Sequence, residues 1–163
     1  MDFHMFNTKR IKAVAVFQGR VHGVVYFEEV GENVKIYGYI AGLTPGAHGI
    51  HIHESGDLTD HDHGMNTCLH FNPFKTNHGC PGSQERHVGD LGNIFANGNG
   101  IAKISMMDDF IQLRGTLTNV IGRSLVVHAN RDDCGLAHNE ESIKNGNSGA
   151  RLGSAVIGYA KMC

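Results

Sequence analysis

Six histidines and one aspartate in this chain are placed where they could hold metal ions. His51 and His53 stand two apart. In a β-strand such residues project to one face, so two imidazoles can reach the same ion. His70, His78, His87 and Asp90 follow, and His128 closes a later apolar run. Each alone has an ordinary explanation. His-x-His occurs in strands that bind nothing, loop imidazoles and carboxylates cap backbone groups, and a strand-end His can pack in a core with one hydrogen bond. Together they supply seven donors. Zinc takes four tetrahedral nitrogen or carboxylate donors, and copper(II) a square or tetragonal nitrogen set. Seven side chains serve two four-coordinate ions if one imidazole is shared. Copper in such a pair could change oxidation state; zinc could not.

The elements that must position these residues read as short strands. Lys12 to Phe17 and Gly23 to Glu28 are apolar bursts separated by Gln18-Gly19. Asn33 to Ile40 is a third, closed by Leu43-Thr44-Pro45-Gly46, and Gly49 to His53 a fourth. Glu54 to Gly89 then lacks periodicity and is rich in His, Asn, Asp, Gly and Cys. A loop of that length inside a compact domain is usually functional. Strands resume at Leu91 to Ala96, Gly100 to Met106, Phe110 to Leu117 and Ser124 to His128. A second long loop runs from Ala129 to Gly149, and Ala155 to Ala160 is the last strand. About eight short strands and two long loops predict an all-β sandwich or barrel.

The chain has 163 residues, 22 of them Gly and none Trp, which fits one domain over residues 1–163 with many turns. A formal charge of −2 gives no reason to expect nucleic acid or a membrane surface as partner. Apolar stretches are too short to span a bilayer. Met1 to Arg10 lacks the apolar core of a secretory signal, so the expected location is cytoplasmic.

Several longer motifs sharpen the reading. His51-Ile52-His53-Glu54, His70-Phe71-Asn72-Pro73, Glu85-Arg86-His87-Val88-Gly89-Asp90-Leu91-Gly92-Asn93, Gly122-Arg123-Ser124-Leu125-Val126-Val127-His128 and Gly149-Ala150-Arg151-Leu152 occur in this order. In these the chain resembles the copper/zinc superoxide dismutase family, from about Ala13 to Ala160. The resemblance implies an eight-stranded Greek-key barrel that disproportionates superoxide to dioxygen and hydrogen peroxide with copper and zinc as cofactors. It implies His51, His53, His70 and His128 as copper ligands and His70, His78, His87 and Asp90 as zinc ligands. His70 would then bridge the two ions and carry a proton during turnover. Asp132 matches an aspartate that hydrogen-bonds one ligand of each metal, and His48 a structural histidine. Arg151 matches the arginine that guides the anion beside copper. Glu140, Glu141 and Lys144 fall in the second long loop, where the family keeps charges that shape the field felt by superoxide; a merely solvated loop is the plainer alternative. The resemblance also implies a homodimer, with Ile121-Gly122 and Val156-Ile157-Gly158 at the contact. A copper chaperone is compatible with the sequence but not required by it.

The chain departs from the family at its cysteines. The family joins a loop cysteine before the bridging histidine to one in the last strand, where this chain has Ser154. Cys68, Cys80, Cys134 and Cys163 leave three full pairings, a single Cys80–Cys134 bond, or four free thiols. His61 and His63 form another His-x-His in the altered loop; a solvated loop is expected there rather than an auxiliary copper-capture site. Three rivals stand beside the enzyme: a metal carrier, a structural decoy and a single-metal variant. Retention of all seven donors and Arg151 favours the enzyme.

Overall fold

The computed structural model describes residues 9–60 and 64–163, so His61 and His63 lie outside the described residues. The strands are β1 (Lys12–Phe17), β2 (His22–Val30), β3 (Asn33–Ala41), β4 (Gly46–His53), β5 (Asp90–Ala96), β6 (Ile101–Asp108), β7 (Ser124–His128) and β8 (Arg151–Tyr159). Alternation sets their faces. In β1, Ala13, Ala15 and Phe17 are buried while Lys12, Val14 and Val16 are not, the period of two expected of a strand wet on one side.

All neighbours are antiparallel and close a barrel in the order β1-β2-β3-β6-β5-β4-β7-β8, with β8 returning to β1. The steps from β3 to β6 and from β4 to β7 are the Greek-key crossovers. Phe27, Ile36, Ile40, Ile50, Ile52, Leu125 and Ile157 fill the interior.

β4 and β7 break the alternation. Every residue from His48 to His53, and all five of β7, are buried. Ile50 and Ile52 belong to the barrel core, so His51 and His53 project from the opposite face. They are buried because the two long loops fold over that face. The chain zips them down: Phe71 N–H donates to Ile52 O at 2.8 Å, Ile52 N–H to Gly89 O at 2.8 Å, and Gly89 N–H to Phe71 O at 3.0 Å. Gly89 is required here, because a Cβ at that position would run into Ile52 O.

Three expectations need correction. Phe110 to Leu117 is not a strand. Asp108 Oδ1 accepts both Phe110 N–H and Ile111 N–H at 2.9 Å and turns the chain. Only an isolated bridge, Gln112 to Asn119, remains, while Ile111 and Leu113 are fully buried in the core. The apolar residues there serve packing without a ladder. The last strand begins at Arg151, not Ala155, because the small and polar start Arg151-Leu152-Gly153-Ser154 still pairs with β7. Arg151 therefore leaves the loop and sits opposite His128. Finally, the second loop contains a short helix, α1 (Glu140–Asn145). Asn139 caps it by accepting Ser142 N–H at 2.8 Å, and Gly146 ends it at φ 70°.

Candidate metal centre

Six imidazoles and Asp90 meet on the covered outer face of β4. His51 and His53 come from β4, His128 ends β7, and Asp90 opens β5. His70 pairs with His53 through an isolated bridge. His78 and His87 come from the loop between β4 and β5. All seven are buried.

Hydrogen bonds fix which nitrogen of each ring is free. His53 Nδ1 lies 2.9 Å from Cys68 O, His128 Nδ1 3.1 Å from Gly149 O, and His87 Nε2 3.1 Å from Thr76 O. His51 Nε2 and His78 Nε2 lie 2.7 and 2.8 Å from the two oxygens of Asp132. A neutral imidazole whose one nitrogen donates to oxygen presents a lone pair on the other. Five rings are thus tied at one nitrogen and aim the other into the cluster. His70 alone has neither nitrogen tied to a backbone carbonyl or to Asp132. Its ring centre lies 4.1 Å from His51, 5.0 Å from His53, 5.2 Å from His78, 5.3 Å from His87 and 6.2 Å from His128.

The donors fall into two sets that share His70. His51, His53, His70 and His128 present four nitrogens within 4.8 Å of one another, with His53 Nε2 and His128 Nε2 3.3 Å apart. On the other side of His70, Asp90 Oδ1 lies 2.9 Å from His70 Nδ1, 3.0 Å from His78 Nδ1 and 3.2 Å from His87 Nδ1, and the His70 and His87 Nδ1 atoms are 3.2 Å apart. A second proximity grouping places His51 with His70, His78 and Asp90. His87 is the better fourth donor there, because its free Nδ1 lies 3.2 Å from both Asp90 Oδ1 and His70 Nδ1. A tetrahedron with metal–ligand bonds of about 2.0 Å has edges of roughly 3.3 Å, close to these four spacings. The buried His51 Nδ1, His70 Nε2 and His78 Nδ1 have no hydrogen-bond partner among the described residues. Buried polar atoms without a partner are costly, and metal coordination satisfies all three. The residues present fit two ions.

The electrostatics agree with that fit. Burial lowers His51 and His53 well below the usual imidazole value, and the neighbouring His70 lowers them further. Burial likewise lowers His70, and takes His128 down to about 4. Neutral imidazole, the ligating form, is therefore their resting state near pH 7. His78 goes the other way. Burial lowers it, but the carboxylates of Asp132 and Asp90 raise it more, to about 9. Burial raises Asp90, yet contacts with His70, His78 and His87 outweigh it and leave the carboxylate ionised.

Asp132 is itself held. Asn93 brackets its backbone: the side-chain N–H donates to Asp132 O at 2.9 Å, and Asp132 N–H donates to the Asn93 side-chain oxygen at 2.7 Å. Cys134 N–H donates to Asp132 Oδ1 at 2.7 Å. Gly146 leaves the room for this: a Cβ there would strike the Asp132 carboxylate and His78. His48 bonds His128 O at 2.7 Å and Thr44 O at 2.8 Å, a purely structural place.

Arg151 stands across from His128, and its charge lowers both His128 and His53. Its guanidinium donates to Gly64 O, to Thr67 Oγ1 at 2.7 Å and to Cys68 O at 2.6 Å. Cys68 O thus serves both Arg151 and His53. Neither Thr67 nor Asn93 was singled out from sequence, since an isolated Thr or Asn carries no spacing signal. Glu140, Glu141 and Lys144 lie on the exposed α1, where Lys144 Nζ is paired with Glu140 Oε1. Cys80 and Cys134 form a disulfide, while Cys68 and Cys163 are free and exposed.

Comparison with known proteins gives a consistent picture. The family model described as copper/zinc superoxide dismutase matches residues 21–157. A superoxide dismutase [Cu-Zn] of Paramecium bursaria Chlorella virus 1 is 56% identical over 94% of this chain and 81% of its own length. An extracellular superoxide dismutase [Cu-Zn] of Onchocerca volvulus is 47% identical over 91% of this chain and 76% of its own. Among solved structures, the crystal structure of the clock protein EA4 superposes with a TM-score of 0.88 at 39% identity, over 94% of this chain and 97% of that one.

Proposed function

The chain belongs to the copper/zinc superoxide dismutase family, and on that premise we propose that His51, His53, His70 and His128 hold its copper while His70, His78, His87 and Asp90 hold its zinc. It is a superoxide dismutase, converting two superoxide anions and two protons to dioxygen and hydrogen peroxide. Copper, when bound, supplies the one-electron exchange in each direction, and zinc supplies a fixed positive charge without redox chemistry. The protein supplies the rest. Carbonyls and Asp132 orient the imidazoles, as outer partners of metal-binding histidines do. His70 Nε2, with no partner of its own, holds and releases the proton that the reduced product requires. Arg151 binds the anion. Three of its N–H contacts are spent on Gly64, Thr67 and Cys68, which fixes the plane and leaves two of its five donors for superoxide.

With a net charge of −2, attraction must come from a local field. Arg151 provides its centre. Glu140, Glu141 and Lys144 shape its rim, where the Lys144–Glu140 pair is nearly neutral as a unit. The chain acts as a homodimer through Ile121-Gly122 and Val156-Ile157-Gly158. Val156 is 40% exposed, whereas Ile157 is buried in the barrel and contributes nothing to that surface. Light scattering of Val156→Glu beside the wild type tests this; an unchanged mass removes the assignment. The location proposed is cytoplasmic, which fits the free Cys68 and Cys163 thiols and makes the Cys80–Cys134 bond the exception. A chaperone is not needed for this reading.

The observation that carries the site assignment is the two-sided His70, with Nδ1 beside Asp90 and His87 in one donor set and Nε2 left without a partner on the side of the other. The test is dismutation by purified protein of measured metal content beside His128→Ala. Activity that tracks copper and disappears together with copper in the variant supports the assignment. A fully loaded protein without activity makes it a metal carrier.

A further inference from the structure

The two loops that build the Asp90 side of the centre have no strand pairing between them. One carries His78 and the other Asp132, 54 residues later in the chain. They are joined by His78 N–H donating to Ile143 O at 2.8 Å and by the His78 Nε2 to Asp132 Oδ1 contact at 2.8 Å. Two residues beyond each partner lies a cysteine. Cys80 and Cys134 are joined, with their Cα atoms 5.0 Å apart. The bond sits directly over the hydrogen bonds that order the donors. Gly79 N–H, between His78 and Cys80, donates to Asp90 Oδ2 at 3.0 Å. Cys134 N–H donates to Asp132 Oδ1 at 2.7 Å. Gly135 packs so near His78 O that a Cβ there would be crowded at 2.7 Å.

We infer that Cys80 and Cys134 are positioning residues for the zinc side, and that their disulfide links zinc retention to thiol redox state. This rests on the reading that His78, His87, His70 and Asp90 hold zinc. With the bond formed, His78 and Asp132 cannot separate by more than the slack of two residues on each side. The Asp132 carboxylate then keeps the His78 ring turned with Nδ1 toward Asp90. Cys134 is only partly buried, so a reductant can reach it. A dithiol would deliver two electrons and two protons; the S–S bond breaks to two thiols, and the sulfurs of the dithiol join in its place. Afterwards only hydrogen bonds hold the two loops together here, among them His78 N–H to Ile143 O and His78 Nε2 to Asp132 Oδ1, both at 2.8 Å. The opposite donors are affected less: His53 and His128 are oriented by backbone carbonyls, and His51, whose Nε2 also bonds Asp132, keeps its place on β4. Disulfides in reducing compartments are typically transient and redox-sensing.

The experiment measures zinc and copper release from the fully loaded protein to a chromogenic chelator, before and after reduction with a trialkylphosphine. Outer partners of metal ligands are worth about 10–100-fold in affinity, so reduction is expected to speed zinc release by that order and copper release far less. Cys80→Ser/Cys134→Ser should release zinc at the fast rate with or without phosphine. Cys68→Ser/Cys163→Ser should keep the full response, and reoxidation of the wild type should restore slow release. Equal zinc release by oxidised and reduced protein overturns the inference, as does a phosphine effect that persists in Cys80→Ser/Cys134→Ser. A lower melting temperature with unchanged zinc release also overturns it, because the bond would then be structural only. A starting protein that binds no zinc at these residues sinks the ligand assignment instead, a separate and visible failure.

Discussion

The two donor sets that share His70 are built differently. On one side, His51, His53 and His128 stand on adjacent barrel strands, and backbone carbonyls orient two of them. On the other, His78 and His87 stand on a loop; Thr76 O orients His87, while the geometry of His78 depends on Asp132, Asn93 and the Cys80–Cys134 bond. The strand-built side is fixed by the same ladder that closes the core. The loop-built side is fixed by contacts that can be lost while the barrel stays folded, because loops open locally at lower free energy than core strands. The titration of the rings follows the same division. The strand-borne imidazoles are lowered by burial, while His78 is raised to about 9 by two carboxylates.

The largest effect should come from removing the shared ring. His70→Ala is expected to abolish dismutation and to lower affinity for both metals, measured by metal analysis after dialysis against a weak chelator. Loss of one metal alone would mean that the two sets are independent. Asp132→Asn should split the sets. Zinc affinity is expected to fall about 10–100-fold, while His51, still held on β4, keeps copper binding closer to wild type. Equal losses on both sides would erase the strand-versus-loop distinction.

Arg151→Ala should reduce kcat/KM by about tenfold or more, in line with local steering of a charged substrate, with both metals retained. In the wild type, raising ionic strength should slow the reaction, as screening shortens the field to about 10 Å at 0.1 M salt. The variant should show a flatter salt response. A rate indifferent to salt in the wild type would remove the steering claim.

A smaller effect separates the sides by pH in the metal-free protein. His78 has a folded value of about 9, above its ordinary 6.5, so its contribution is complete below about pH 6.5 and is lost as pH rises through 9. His128 is lowered to about 4, so its unfavourable protonation develops as pH falls from 6.5 toward 4. Denaturant titrations of metal-free His78→Gln should show less loss of stability between pH 6.5 and 9 than the wild type. Identical slopes would show that His78 does not carry the alkaline limb. The least effect is expected outside the centre, where Arg114 pairs with Glu29. Arg114→Ala should change the denaturation midpoint little, as exposed pairs contribute little, and leave metal binding unchanged.

Much of the site was legible because ligand chemistry restricts residue type. His51 and His53 declare themselves by strand spacing, and the motifs around His70, His87, Asp90 and His128 carry the rest by resemblance. Arg151 was legible as a residue but not as the first residue of β8, since Arg-Leu-Gly-Ser has no apolar alternation. Phe110 to Leu117 misled in the opposite sense: buried Ile111 and Leu113 give a strand-like pattern, while Asp108 turns the backbone away from any ladder. Asn93 and Thr67 act through side-chain hydrogen bonds to groups far along the chain, a relation that local pattern does not encode.

The sequence by itself determined the donor inventory, the apolar periods of most strands and the absence of a cysteine at position 154, because these are matters of residue type and spacing. Tertiary structure decided which nitrogen of each imidazole is free, that His87 Nδ1 arrives 3.2 Å from Asp90 Oδ1, and that Cys80 meets Cys134. Each of those depends on where a carbonyl, a carboxylate or a second loop arrives in space, and only the closed barrel with both loops folded over β4 brings them there.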